Sequence, residues 1–444
     1  MTGAGPLVRF VPERRLAAAL ALTAPLWLLP GVLGPVAGVA ALAAVLLAAG
    51  VDLVLLPSRS GLEVAREAPE SVGLGDGVDG AYEVASRWAR PLRVELHDDL
   101  PPAVPGGIGQ ATFALPAHDR VRLPFRLAGE ARGKWSLGRI GARVTSPLGL
   151  VGARYALAPG DELAVVPSLS GVRRFRLLAM QHRLEAAGVR ALRRRGEGQG
   201  FAGLRDYTVG DDPRHIDWKA TARRLKPITR EFTIERSQTV ITLIDAGRGM
   251  TQLSGKYARF EHALSAALIL TDVAAHAGDR VGTLAFDDEV RAFAPARSSL
   301  GALQSVRAAL VPVVASSREP DYATAFRFLA ARQRKRALVV FFTDVIDVRA
   351  SRALLAHAAH SAARHLTLVV ALRNDDVFAA AQPGGEATAA RLYERAAAEE
   401  LIVAREEALE SMRRAGVVVL DVSPGQMTAA VINRYLELKG RGAL

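Results

Sequence analysis

The chain has 444 residues, half of them hydrophobic, and its 57 Lys and Arg against 45 Asp and Glu give a formal charge of +12, enough length for two or three domains and enough apolar content to place part of it in lipid. The absence of cysteine excludes disulfide stapling, thiolate catalysis and cysteine-ligated metals, and fits a reducing compartment. Nucleic acid is set aside as a partner: no recognition helix, zinc-ligand spacing or aromatic and glycine signature accompanies the basic excess, and anionic lipid explains it more simply.

From Leu16 to Leu56 the only ionisable residue is Asp52. Two apolar stretches, Leu16–Pro30 and Val36–Leu56, flank a Gly31–Pro35 break, and together they predict a transmembrane helical hairpin within residues 1–59. Arg9, Arg14 and Arg15 precede the first stretch and Arg59 and Arg66 follow the second. By the positive-inside rule both ends face the cytoplasm, which puts the bulk of the chain on the cytoplasmic side of the inner membrane. A signal peptide is the competing reading, weakened by the second stretch and by the lack of a clear cleavage site. Asp52, near the end of its helix, is expected to snorkel or meet lipid headgroups.

Residues 60–169 alternate in short runs bounded by Gly, Pro or Asp, the pattern of a small antiparallel β-sandwich. Residues 170–238 begin with a basic helical stretch, Gly171–Arg195, whose Arg193, Arg194 and Arg195 read as a solvated face more readily than as a phosphate site. The segment then turns into a polar loop with Arg205, Asp206, Tyr207, Gly210, Asp211, Asp212, Arg214, Asp217, Trp218, Lys219 and Arg223. Such a density of paired charges predicts a clamp held by charged hydrogen bonds with Trp218 as a buried wedge, and a partner-binding surface is the alternative. Neither reading is catalytic, since His215 stands alone without a nucleophile.

The string from Gly198 to Arg223, G-x-G-F-x-G-L-R-D-Y-x-x-G-D-D-P-R-x-I-D-W-K-A-x-A-R, resembles the signature of the bacterial and archaeal DUF58 proteins. That resemblance implies a β-rich domain before the signature and a von Willebrand factor A-like domain after it. Segments PLRVELHDDLPPAV and TSPLGL fall where the family has related runs, with Thr145 and Ser146 standing where the family tends to have an acid.

Residues 239–444 alternate strand and helix. VITLIDAG, RVGTLAFDD, EVRAFAP, ALVVFFTDVID, HLTLVVALRN and GVVVLDV read as strands, with helices at Arg259–Ala277, Ser299–Leu310, Tyr322–Arg332, Ser351–Ala363, Ala389–Met412 and Gln426–Leu438. Apolar strands between helices predict a mostly parallel sheet covered on both faces, with its ligand edge at the carboxyl ends of the strands. Asp245 and Asp344 fall there.

The resemblance implies a Mg²⁺ site built from D-x-S-x-S, a loop threonine and a second aspartate. Here the first element reads Asp245, Ala246, Gly247, Arg248, Gly249, so both serines are glycine. Thr324 lies where the loop threonine is sought, and Thr343 and Asp344 fit the last element. A guanidinium inside the turn opposes a divalent ion, so Asp245 and Asp344 are expected to form a degenerate site in which Arg248 pairs with one of them and no cofactor is needed. Asp287, Asp288 and Glu289 read as a hairpin turn.

These readings converge on a membrane-tethered, non-enzymatic protein-interaction adaptor. The resemblance implies work with a separate MoxR-type AAA+ ATPase on a protein client, and the sequence has no Walker loop of its own. The alternatives are a metal-dependent hydrolase using the edge aspartates and a nucleic-acid-binding protein.

Overall fold

The computed structural model describes residues 9–57, 61–157, 161–169, 177, 200–208, 211–233, 238–298, 300–346, 348, 351–384 and 388–441. These divide into two compact units, Met1–Ser168 and Leu169–Leu444. Apart from Leu177, the basic stretch 171–195 lies outside the described residues, as do Arg59, Gly210 and Asp347.

The N-terminal unit opens with a strand, Arg9–Pro12, which pairs antiparallel with Val151–Leu157. Glu13 follows, and Arg143 grips its carboxylate at 2.8 and 2.9 Å. Arg14–Thr23 is helical, Ala24–Leu28 is a 3-10 turn and Leu33–Val54 is a helix of 22 residues. Pro25 and a positive φ at Gly31 separate the helices. The second helix starts ahead of Pro35, because a proline in the first turn removes only an amide that would have no helical partner. The Trp27 ring lies so close to Gly38 that a Cβ there would collide with it. Among the described residues Leu33–Val54 is the one helix long and apolar enough to cross a membrane.

Asp52 does not snorkel. It is completely buried, and its carboxylate accepts hydrogen bonds from the Ser146 hydroxyl and from the amides of Leu148, Leu150 and Val151, the amide distances being 2.9, 2.8 and 3.2 Å. A turn of exposed amides offers a carboxylate more than headgroup water does, which explains the departure. Ser146 therefore has a chemical role that its sequence position did not reveal, since an acid there would face Asp52.

Among the described residues of this unit, eleven short strands, the opening one included, make three sheets. One has five antiparallel strands in the order Arg9–Pro12, Val151–Leu157, Ile140–Thr145, Leu92–Asp98 and Gln110–Leu115. Another joins Leu62–Glu67, Gly77–Ser86 and Arg120–Ala128. The last sets Glu162–Val166 between Gly133–Ser136 and Ser71–Gly73, the latter pair parallel. Leu92, Val94 and Leu96 are buried while Arg93, Glu95 and His97 are not, the period-two pattern of a sheet with one face on the core. Arg66 and Asp98 join two of the sheets through a buried 2.8 Å ion pair, with the Tyr82 hydroxyl donating to the same carboxylate.

The C-terminal unit holds a six-stranded sheet in the order Val290–Arg297, Arg280–Phe286, Thr239–Asp245, Leu338–Thr343, Leu366–Leu372, Val418–Val422. Every pair is parallel except the one made by the edge strand Val290–Arg297. Near-continuous apolar runs suit strands covered on both faces, and the neighbouring strands Leu338–Thr343 and Thr239–Asp245 are almost wholly buried. Alternate residues face two cores. Val240, Ile244, Val340 and Phe342 meet helices Arg259–His276, Leu300–Leu310 and Met427–Arg441. Ile241, Leu243, Val339 and Phe341 meet Tyr322–Arg332, Arg352–Ala362 and Ala389–Arg414.

Candidate functional site

In chain order the six strands run 3-2-1-4-5-6 across the sheet, so the winding reverses between Thr239–Asp245 and Leu338–Thr343. A crevice at the carboxyl ends of such a pair is where open α/β sheets bind ligands. Asp245 ends the first strand, Thr343 ends the second and Asp344 follows it.

Asp245 is buried, and accepts from the Gly247 amide at 2.8 Å, the Thr343 hydroxyl at 2.8 Å and the Tyr322 hydroxyl at 3.3 Å. Burial pushes its carboxyl up to about 6, against the pull of those three donors, and the nearby Asp344 adds to the rise. Burial together with the Asp245 charge also pushes the Tyr322 phenol well above its ordinary range. Thr324 does not reach the site: its amide and hydroxyl bond Asp321 at 3.0 and 2.6 Å, capping the helix that Tyr322 begins.

Asp344 meets two arginines. Arg259, 1% exposed, donates from Nη1 to Oδ2 at 2.7 Å, and Arg405 approaches Oδ1 at 3.5 Å. Arg405 also donates to the carbonyls of Val345 and Leu372 and to Asp421 at 3.0 Å, and Arg373 donates to the other oxygen of Asp421 at 3.0 Å. A chain of alternating charges thus runs beneath the crevice. Arg248 takes no part in it. Its guanidinium points outward to Glu319 at 2.7 Å, both side chains being about 70% exposed, while its amide donates to the Arg318 carbonyl at 2.8 Å. The expected pairing of Arg248 with Asp245 or Asp344 is corrected: the burial of Arg259 and Arg405 puts their charges nearer Asp344 than a side chain leaving a surface turn.

A hard divalent cation needs several converging oxygens. Asp245 already accepts three donors, and the Asp344 oxygens face guanidinium groups, so a cation placed between the two acids would meet fixed positive charge. Among the described residues no cluster of three or more His, Cys, Asp or Glu side chains could hold a metal ion. The residues present do not fit the implied Mg²⁺. Asp287, in the next loop of the same edge, is likewise committed. Burial would raise its carboxyl, but the Ser316 hydroxyl, the Glu289 amide and Arg291 outweigh it and bring it to about 2.

The signature residues form a hairpin of Gly200–Asp206 with Ile228–Thr233 that carries the short helix Trp218–Arg224. Arg205 grips Asp211 through two bonds of 2.8 and 2.6 Å, and Thr208 adds its amide and hydroxyl. Arg205 above all, then Thr208, holds the Asp211 carboxyl down at about 2. The Tyr207 hydroxyl donates to the Asp211 carbonyl at 3.3 Å. Asp212 caps the 3-10 turn through Arg214 N, and Asp217 caps the helix through the Lys219 and Ala220 amides while bonding Arg230 at 2.9 Å. Asp206 is exposed, and its carbonyl accepts from Arg205 at 3.2 Å. Trp218 is no wedge: it is 71% exposed. As the first residue after its cap it leaves the helix outward, and Asp217 with Arg230 supplies the tie that the ring was expected to supply. Arg214, Lys219 and Arg223 are exposed beside it.

Arg259 and Arg405 escaped sequence reasoning, though one signal existed. Buried Ala398, Ala408, Leu409 and Met412 form an apolar stripe on the helix Ala389–Arg414, and Arg405 lies on that stripe rather than on the solvated face.

A family model described as "Protein of unknown function DUF58" matches residues 203–381. That span includes the signature from Gly203 onward, Asp245, Arg248, Arg259 and Asp344, and ends before Arg405. Uncharacterized proteins of Mycobacterium tuberculosis and Mycobacterium bovis are 25% identical to this chain over 170 residues, 37% of this chain and 51% of theirs. The chain thus spans about half the length of the curated relatives it matches. Among solved structures, proximal thread matrix protein 1 from the mussel byssus is similar at 12% identity and TM-score 0.29, covering 46% of this chain and 48% of its own. A CARDB domain from Pyrococcus furiosus is similar at 16% identity and TM-score 0.15, covering 22% of this chain and 85% of its own. Neither score establishes a shared fold.

Proposed function

We propose that this protein is a membrane-anchored, non-enzymatic adaptor that presents a protein client to a separate MoxR-type AAA+ ATPase on the cytoplasmic side of the inner membrane. The observation that carries the proposal is the neutralised crevice. Asp344 is tied to Arg259 and Arg405, Asp245 is buried and already accepts from the Gly247 amide and the Thr343 and Tyr322 hydroxyls, and the charged groups exposed at that edge include Arg248, Glu319 and Arg318. Exposed, weakly paired charges over a rigid base suit recognition of another protein surface.

The 3-2-1-4-5-6 order with its antiparallel edge strand supports a von Willebrand factor A-like reading of the C-terminal unit. The degenerate metal motif then becomes a site in which buried arginine stands where a cation is expected. Anchoring rests on Leu33–Val54, whose 22 residues extend about 33 Å, enough for a hydrocarbon core of about 30 Å. A membrane hairpin is supported by the attachment of both ends of the helical segment to one sheet, through Arg9–Pro12 and through Asp52. Exposed Arg14 and Arg15 support a cytoplasmic position for those ends.

The full chain in nanodiscs, titrated with a MoxR-type ATPase from the same organism, tests the reading. Saturable binding that is lost in Arg248→Glu, with an unchanged melting temperature, is expected. Failure to bind, combined with hydrolytic turnover that disappears in Asp245→Asn, would replace the adaptor with an enzyme.

A further inference from the structure

The carboxylate of Asp52 fixes a loop of the sandwich at a definite level of the apolar helix. Asp52 lies four residues before Leu56, where the apolar run ends, and at 1.5 Å per residue this is about 6 Å inside that run. The turn that caps it, 146–151, must lie at the same level, because the Leu148, Leu150 and Val151 amides all reach the carboxylate within 3.2 Å. A second tie holds the chain as it leaves the helix: the Tyr155 hydroxyl donates to the Pro57 carbonyl at 2.5 Å. The polar groups of the turn point at Asp52, and its apolar tip points away. Pro147 is exposed, and Leu148 is 48% exposed.

We infer that the 146–151 turn of the sandwich is seated in the interfacial layer of the bilayer, with Pro147 and Leu148 against lipid and Asp52 as the latch that sets its depth. The inference rests on the membrane reading of Leu33–Val54. Lipid is the occupant because the turn is bonded through Asp52 to a bilayer-length helix whose neighbouring Val51 and Val54 are themselves exposed. Unpaired amides and an unpaired carboxylate are each costly at this depth, and here each removes the other's cost. Arg15, whose guanidinium approaches the Leu148 carbonyl at 3.5 Å, lies at the same level with its charge exposed, as a headgroup contact requires. Gly149 closes the turn at a φ of +74°, with the Arg15 side chain 3.1 Å from where a Cβ would stand. The turn is thereby shaped by residues of both helices.

Because the chain has no cysteine, single labels report without background. Full-length Leu148→Cys, Ala44→Cys and Asp79→Cys would each carry an environment-sensitive dye in vesicles of phosphatidylcholine and phosphatidylglycerol. Spin labels at shallow and deep acyl positions, and aqueous iodide, serve as quenchers. The expected result is deep quenching at position 44, shallow quenching with iodide protection at position 148, and iodide quenching alone at position 79. Adding Asp52→Asn, which sets an NH2 group against the turn amides, should move the position 148 dye toward iodide. If position 44 is quenched from the bilayer but position 148 answers only to iodide, the inference is overturned and the membrane reading stands. Should position 44 fail to meet lipid, both fall. Iodide protection at 148 without lipid quenching would mean a protein covers the turn, which also overturns it.

Discussion

Replacing Arg259 with methionine should cost the sheet-bearing unit about 3 kcal/mol. Removing one partner of a buried ion pair costs about 3–5 kcal/mol, mostly the burden of the charge left behind. The lower end applies because Arg405 remains 3.5 Å from Asp344 and methionine keeps most of the apolar stem that Arg259 buries. At about 2–4 °C per kcal/mol for a domain of 150–250 residues, the melting temperature should fall by about 6–12 °C. Adding Asp344→Asn removes the stranded charge and should return much of the lost stability. The assay is a double-mutant cycle by urea denaturation. A single-variant loss below about 1 kcal/mol, or strict additivity in the cycle, would refute the assignment of Arg259 as the internal counter-ion.

Asp245, held up at about 6 by burial, has a folded value above the unfolded one of about 3.9, so its stabilising contribution is complete below the unfolded value and is lost as pH rises through about 6. Asp245→Asn should therefore flatten the fall in urea midpoint between about pH 4 and 6. Asp287 behaves oppositely: its contribution, with the carboxyl at about 2, is present above the unfolded value and is lost as pH falls through about 2, and Asp287→Asn should blunt that acid limb. Trp218→Ala should change the unfolding free energy, measured by urea denaturation, by less than about 0.5 kcal/mol, as surface substitutions do, and by less than Asp217→Ala, which removes a helix cap; the reverse order would restore the wedge. Gly247→Ser should destabilise without creating a cation site, because a Cβ there meets Pro320 at 2.9 Å and the Arg318 carbonyl at 3.0 Å, whereas Gly249→Ser has 3.3 Å to Asp344 and should fold. Isothermal titration of the double serine variant with Mg²⁺ checks this, and micromolar binding would contradict it.

The doubly wound sheet was legible because its strands are buried on both faces and say so in continuous apolar runs: LVVFFT and LTLVVAL need no partner sequence to be read. Asp245 and Asp344 were legible for the same reason, since each ends or follows such a run. What stayed hidden depends on contacts far along the chain. Arg259 and Asp344 are 85 residues apart, and Asp52 meets amides 96 to 99 residues away, groups that carry no residue-type signal at all. Arg9–Pro12 is four residues long and ends in proline, too short for any periodicity to show. Arg248 misled because closeness in sequence stood in for closeness in space, and Trp218 misled because aromatic size was taken as burial.

The double attachment of the helical segment to the sandwich has a mechanical consequence. A domain on a flexible leash wanders through a hemisphere, and a pull on it first straightens the leash. Here the chain is stitched to the sheet at Arg9–Pro12 before the helices and at Asp52 and Pro57 where they finish, leaving no slack at either end. In a bilayer, load applied to the sandwich would reach the helices as tilt and torque at once, and each residue of the domain would stand at a set level relative to the lipid. For the adaptor proposed above, that stiffness would supply a fixed point for an ATP-driven machine to pull against.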